Sequence, residues 1–304
     1  MPNEEMFSLF RDIKVIGEYK DPEIAVKLKQ MKDPEVFGGA EADITLEGKR
    51  GGLIEDWFNP PWKYASHKFG YIAPQKSDFN QPQIIQYTGA VKPDRTLRNA
   101  RINIRLDRLH IEKYPGGGTH NVLVTFAARN QIAETQESVS FSQTYRVNEG
   151  QSAGIVGYPI FIGLNVGSQG VAFECSTVNV KNEEDQAILS ALESSPFKSG
   201  LKLLTTAQPA IAPFTEITLG VVKLMAQRYE NVAVQKFYLG LDFDQAALGA
   251  SLVEGNYIAV QADDEINWSE WVYKPDMGAI VKKEDDSATL SYNYVIFRVS
   301  RYEE

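Results

Sequence analysis

Residues 101–114 read RINIRLDRLHIEKY, and the phase of their apolar side chains decides the fold class. Ile102, Ile104 and Leu106 alternate with Arg101, Asn103 and Arg105, the period of two that belongs to a strand with one buried face. The phase then slips by one, and Leu109 and Ile111 carry the apolar face on. One extra residue near Asp107–Arg108 predicts a β-bulge. Downstream, NVLVTFAA (121–128) is largely apolar, and SVSFSQTYRVN (138–148) alternates cleanly. Val139, Phe141, Tyr145 and Val147 share one face of that stretch, and Ser138, Ser140, Ser142, Thr144 and Arg146 share the other. This is the pattern of a half-buried antiparallel strand. YPIFIGLNV and VAFECSTVNV follow, separated by the turn GSQG.

The texture changes at residue 182. NEEDQAILSALESS reads as a helix capped by Asn182, with acids in its first turn and Ile188, Leu189 and Leu192 on one stripe. PFKSGLKLLTTA predicts a second, short helix. PFTEITLGVVKLMAQRY predicts a third, opened by Pro213. Residues 203–226 are the most apolar of the chain, and they read as a core helical pair because Pro209, Pro213, Glu216 and Lys223 oppose a membrane hairpin. Strand patterns then resume in VAVQKFYLGLDFD, SLVEGNYIAVQA, GAIVKK and TLSYNYVIFRVSRY, with a polar hairpin turn expected within KKEDDSAT.

The expected fold is mainly β, an antiparallel β-sandwich with an inserted helical segment around 183–229, α+β overall. Residues 96–304 would form this body. Residues 1–95 read as an irregular, β-containing segment or subdomain, with a short helix over 21–31 capped by Asp21 and opened by Pro22. No βαβ alternation is present, so a parallel nucleotide-binding sheet is disfavoured.

Composition narrows the function classes. The 304 residues carry a formal net charge of −9, so a general affinity for nucleic acid is disfavoured. One local exception is the run Lys92, Arg95, Arg98, Arg101, Arg105 and Arg108, diluted by Asp94 and Asp107. It is either a solvated strand face or a patch for an anion or acidic partner. The single cysteine, Cys175, excludes an intramolecular disulfide and Cys-rich zinc sites, and its place in an apolar run argues against an activated thiolate. An acidic N-terminus without an apolar run behind it, and the lack of any ~18-residue apolar stretch, predict a cytoplasmic, soluble chain with no transmembrane segment.

The triple glycine of HIEKYPGGGTH (110–120) is followed by no lysine and opens no helix, so both phosphate-loop readings fail. A hairpin loop with glycines at positive φ is expected instead. His67, His110 and His120 are the only histidines, too few and too dispersed for a His-based metal site.

Two constellations remain. Asp242 and Asp244 end one strand pattern, and Asp263 and Asp264 end the next. Clustered carboxylates of this kind suit calcium, the one cofactor the sequence raises. The strand–Asp-x-Asp–loop–Gly–strand pattern resembles one calcium loop of C2 domains over about a dozen residues. It departs from that family in that the YPGGGTH tip, where further ligands would stand, has no aspartate. The second constellation is aromatic: Trp57 and Trp62 in one stretch, Trp268 and Trp271 in another. They serve either as exposed anchors for a partner or sugar, or as staples of the N-terminal segment.

No GxSxG elbow, HExxH or Cys–His pairing occurs. The reading that follows is a non-enzymatic module for protein–protein contact or self-assembly, with Arg101, Arg105, Arg108 and the four tryptophans as contact residues. The alternatives are a calcium-dependent or carbohydrate-binding sandwich, and a hydrolase built on His110, His120 and Asp107.

Overall fold

The structure, a computed structural model, describes residues 8–31, 60–75, 81–182, 184–185, 188–189, 200–204, 211–244 and 250–303. A helix α1 (Asp21–Gln30) precedes β1 (His67–Ile72), β2 (Gln83–Tyr87), β3 (Arg101–Ile111), β4 (Thr119–Ile132), β5 (Thr135–Asn148), β6 (Gln151–Ser152), β7 (Tyr158–Asn165), β8 (Gly170–Val180) and β9 (Leu201–Lys202). A helix α2 (Ile211–Gln227) then leads to β10 (Val232–Asp242), β11 (Ala250–Ser251), β12 (Gly255–Gln261), β13 (Trp271–Lys274), β14 (Ala279–Lys282), β15 (Asp285–Thr289) and β16 (Tyr294–Arg301).

The fold is mainly β with an inserted helix. One sheet has 11 strands in the order β15-β14-β13-β2-β1-β12-β16-β3-β7-β9, with β6 added beside β3. The other has five, β11-β10-β8-β4-β5. Pairing is antiparallel except for the short contacts β10–β11 and β7–β9. The two sheets pack face to face around Phe173 of β8. Its ring meets Phe126 of its own sheet at 5.4 Å and Phe297 of the opposite sheet at 4.7 Å. β1 and β2, which precede residue 96, belong to the large sheet, and β1 pairs with β12 over its whole length.

The predicted bulge is present. On β3 Arg108 faces Ile296 and Leu106 faces Phe297, which leaves Asp107 as the extra residue. Ile102, Ile104, Leu106 and Leu109 are all buried toward the small sheet.

Several local expectations are corrected. β3 and β4 lie in different sheets, so the glycine loop is an arch between sheets and not a hairpin. The GSQG turn, between β7 and β8, is a second arch of the same kind. The serine face of β5 is not solvated. Helix α2 covers it, Ser140 and Ser142 are fully buried, and Thr215 Oγ1 donates to the Ser138 carbonyl at 3.2 Å. Leu201–Lys202, expected in a short helix, form β9 beside β7. Helix α1 begins at Asp21, so Lys20 and not Asp21 is its N-cap, and the Glu23 carboxylate accepts the Lys20 N–H at 2.9 Å. Ahead of the 182 helix, Asn182 Oδ1 accepts from the Glu184 N–H at 2.9 Å, and the first helical residue described is Asp185. Most of that helix lies outside the described residues.

The outer face of the large sheet has its own smaller core. The β13–β15 strands and Trp268 fold over Ile72, Ile85, Ile258 and Ile296. The neighbouring part of that face, across β12, β16 and β3, carries the polar side chains Asn256, Arg298, Asn103, Arg105 and Asp107.

Candidate functional site

That polar area is built by the alternation of β3. With Ile104 and Leu106 turned inward, Asn103 and Arg105 turn outward, and the bulge turns both Asp107 and Arg108 outward in succession. The register sets Arg105 directly opposite Arg298 of β16, and Arg298 opposite Asn256 of β12. Like charges facing each other on one side of a ladder are destabilising. Asp107 answers one of them: its Oδ2 accepts from Arg298 Nε at 2.9 Å and Nη2 at 2.6 Å. Arg298 Nε also donates to Asn256 Oδ1 at 3.3 Å. Arg105 donates only Nη1, to the Gly157 carbonyl at 3.2 Å, and forms no ion pair among the described residues.

Asp107 is 8% exposed at its side chain, and its Oδ1 has no hydrogen-bond partner among the described residues. The site therefore holds two facing guanidiniums, one carboxylate to balance them and one buried acceptor left over. A pocket of about 190 Å³ adjoins it, lined by Gln83, Glu254, Asn256 and Arg298.

Of the other predicted arginines, Arg101 is the more fully engaged. Arg101 donates to the Gly163 carbonyl at 3.2 Å and the Leu203 carbonyl at 2.6 Å, and lies 4.2 Å over the Tyr302 ring. Arg108 donates to Tyr273 Oη at 3.3 Å beneath the turn at Gly278.

The tryptophans serve mainly as staples. Trp62 is buried in the main core. Trp268 is buried over Gly70 and donates Nε1–H to the Phe69 carbonyl at 3.1 Å. Trp271 is half-buried, with the Lys282 ammonium 5.9 Å from its ring. Trp57 lies outside the described residues.

The four aspartates do not come together. Gln261 Nε2 donates to the Val234 carbonyl near the start of β10, whereas the Leu252 N–H reaches the Asp242 carbonyl at its far end. Asp242 and Asp244 thus stand about 25 Å from Asp263 and Asp264, at ~3.3 Å per strand residue. Asp244 pairs with Arg95 at 3.7 Å, and Asp263 accepts from Ser66 Oγ at 2.6 Å. Among the described residues no group of three or more His, Cys, Asp or Glu side chains could hold a metal ion.

The histidines are likewise apart. His110 lies on the outer face of the large sheet, stacked on Tyr294 at 4.5 Å, with Ser152 Oγ at 3.2 Å and Glu112 Oε2 at 3.3 Å. His120 is fully buried between the sheets. Its Nδ1 accepts from Asn179 Nδ2 at 3.1 Å, and Asn179 Nδ2 also donates to the Pro115 carbonyl, so the proton is on Nε2, 3.4 Å from Glu149 Oε1. With Asp107 bound to Arg298, the three residues of the hydrolase reading share no pocket. Burial works to raise the Glu149 carboxyl, but the His120 ring, the Tyr114 N–H and Lys113 outweigh it and hold it below the usual range.

The glycine arch also rules out an anion cradle. Gly116, Gly117 and Gly118 have φ of 91°, 54° and 75°. The Gly116 and Gly117 carbonyls point to a positive charge, and the Gly118 carbonyl accepts the Glu149 N–H at 3.1 Å. Lys181 Nζ donates to Gly116 O and Gly117 O at 3.1 Å and to Thr119 O at 3.3 Å.

Sequence reasoning missed a polar chain between the sheets. His67 Nε2 meets Gln235 Oε1 at 3.4 Å, Gln235 Nε2 donates to Tyr114 Oη at 2.6 Å, and Tyr114 Oη meets Thr177 Oγ1 at 2.8 Å. Burial lowers the His67 imidazole to about 4. A lone glutamine in an apolar strand was the only signal of this chain.

A groove of about 720 Å³ beneath the N-terminal segment is lined by Arg11, Lys14 and Lys236 and also by Asp12 and Glu18, so it offers no preference for either sign. No helix among the described residues is long and apolar enough to cross a membrane. Comparison with family models, with curated proteins and with solved structures found no match for this chain.

Proposed function

We propose that the chain is a non-enzymatic protein-interaction module that holds an acidic segment of its partner against the open outer face of the large sheet. One observation carries this reading: Arg105 and Arg298 face each other across β3 and β16 with a single carboxylate between them. A carboxylate of the partner on Arg105 would complete the charge balance through charge-assisted hydrogen bonds. Arg105 lies on a rigid central strand, which limits the ordering cost of binding.

The test is titration of a labelled Glu-Gly repeat peptide, with the matching Lys-Gly peptide as control. Saturable binding of the acidic peptide only is expected at low salt, weakened by added salt because the contact is half-exposed. Arg105→Glu should lower the affinity at least tenfold, a change of ~1.4 kcal/mol. Equal affinity for the two peptides, or no effect of Arg105→Glu, would refute the reading.

A further inference from the structure

We infer that the acidic segment is supplied by a second copy of the chain, through the turn at residues 263–265 that follows β12. This inference rests on the interaction reading above and names the partner for the same face.

The argument is one of charge placement along a single strand. Asn256, near the start of β12, stands in the arginine site opposite Arg298. The end of β12 at Gln261 leads into Asp263, Asp264 and Glu265, all exposed, with Glu270 close behind. In this turn Glu265 is answered by Lys68 at 2.7 Å and Asp263 by a neutral hydroxyl. Asp264 is bound to no cation among the described residues. The turn is therefore net acidic, and the arginine site is net basic.

Seven residues of strand separate Asn256 from Asp263, about 23 Å at ~3.3 Å per residue. The two poles cannot neutralise each other within one molecule. Between molecules they can, with Asp264 of one copy reaching Arg105 of the next. The contact joins two different patches, so it is head-to-tail and leaves a free pole at each end of a pair. Growth then continues to a ring or a filament. Because both poles are solvent-facing, association is expected to be strongest at low ionic strength.

The experiment measures solution mass by light scattering over a concentration series at low and high salt. The chains are the parent, Arg105→Glu, Asp264→Lys and the double variant, each checked for folding by near-ultraviolet dichroism. The parent should exceed monomer mass at low salt and return to it at high salt. Each single variant alone should remain monomeric. An equimolar mixture of the two should regain parental growth, because the intact acidic turn of one fits the intact arginine site of the other and the two reversed poles fit each other. The double variant, with both poles reversed, should recover parental growth. A parent that stays monomeric throughout, growth indifferent to both single variants, or a mixture that stays monomeric would overturn the inference. If the monomeric parent still binds the acidic peptide through Arg105, the interaction reading stands and only the identity of the partner falls.

Discussion

Asp107 and His67 show two ways in which a single side chain can carry a constraint that its neighbours do not share. Asp107 was legible, because an extra residue in an alternating strand shifts every later side chain to the opposite face unless it bulges. The difference between Arg101 and Arg105 was not legible. Both have the same outward phase, and what separates them is the Gly163 and Leu203 carbonyls, brought to Arg101 from distant segments. His67 leads to a prediction about acid stability. Its imidazole is lowered from 6.5 to about 4, with Nδ1 closed to water and without a partner among the described residues. Below 6.5 the unfolded chain takes up a proton that the folded chain refuses until about 4. Stability is therefore complete above 6.5 and falls by up to ~3 kcal/mol as pH drops to 4, then levels off in this respect. The Glu149 carboxyl, held below its usual range, adds its own loss only below 4.5, so the two windows separate. Urea midpoints measured from pH 7.5 to 4 should show the first fall in the parent and a flatter profile in His67→Gln.

The strands and turns were read more reliably than their partners. A tight glycine loop looks the same in sequence whether the strand after it returns to the same sheet or crosses to another. Here, pairing of β4 with β5 and β8 decides the matter. The serine face of β5 was misread for a similar reason. Small hydroxyl side chains suit water, but they also allow a helix to pack closely, and α2 supplies one. The arch leads to a prediction that separates strain from crowding. Gly116 and Gly118 both have positive φ, so alanine is strained at either. At Gly116 the added Cβ would also stand 2.8 Å from Lys181 Cε, whereas at Gly118 it would meet nothing within 4 Å. Gly118→Ala should cost ~1 kcal/mol and Gly116→Ala measurably more. Equal unfolding midpoints would show that the lysine yields freely and does not brace the arch.

The overall architecture was legible as a mainly β chain with a helical insertion, because alternation and helix signals are local. The association of the early segment with the later strands was not, since β1 finds its partner β12 nearly two hundred residues on, a pairing that no local pattern announces. One contiguous core runs from Phe10 to Val299, and a second, smaller core lies beneath β13–β15. Trp62 reports on the first and Trp268 on the second. Because β12 and β16 contribute to both cores, the two should melt together, with tryptophan fluorescence and far-ultraviolet dichroism giving coincident transitions. A fluorescence change that precedes the loss of strand signal would mean that the β13–β15 cover opens alone. The position of β16 has a further consequence. This strand comes last in sequence among those described, yet it lies between β12 and β3 near the middle of the large sheet. On the ribosome, the strands on either side of it emerge first and find no neighbour to join them. The nascent chain must therefore keep the facing edges of β3 and β12 apart and soluble until β16 has emerged, which makes that interval of translation a step exposed to aggregation.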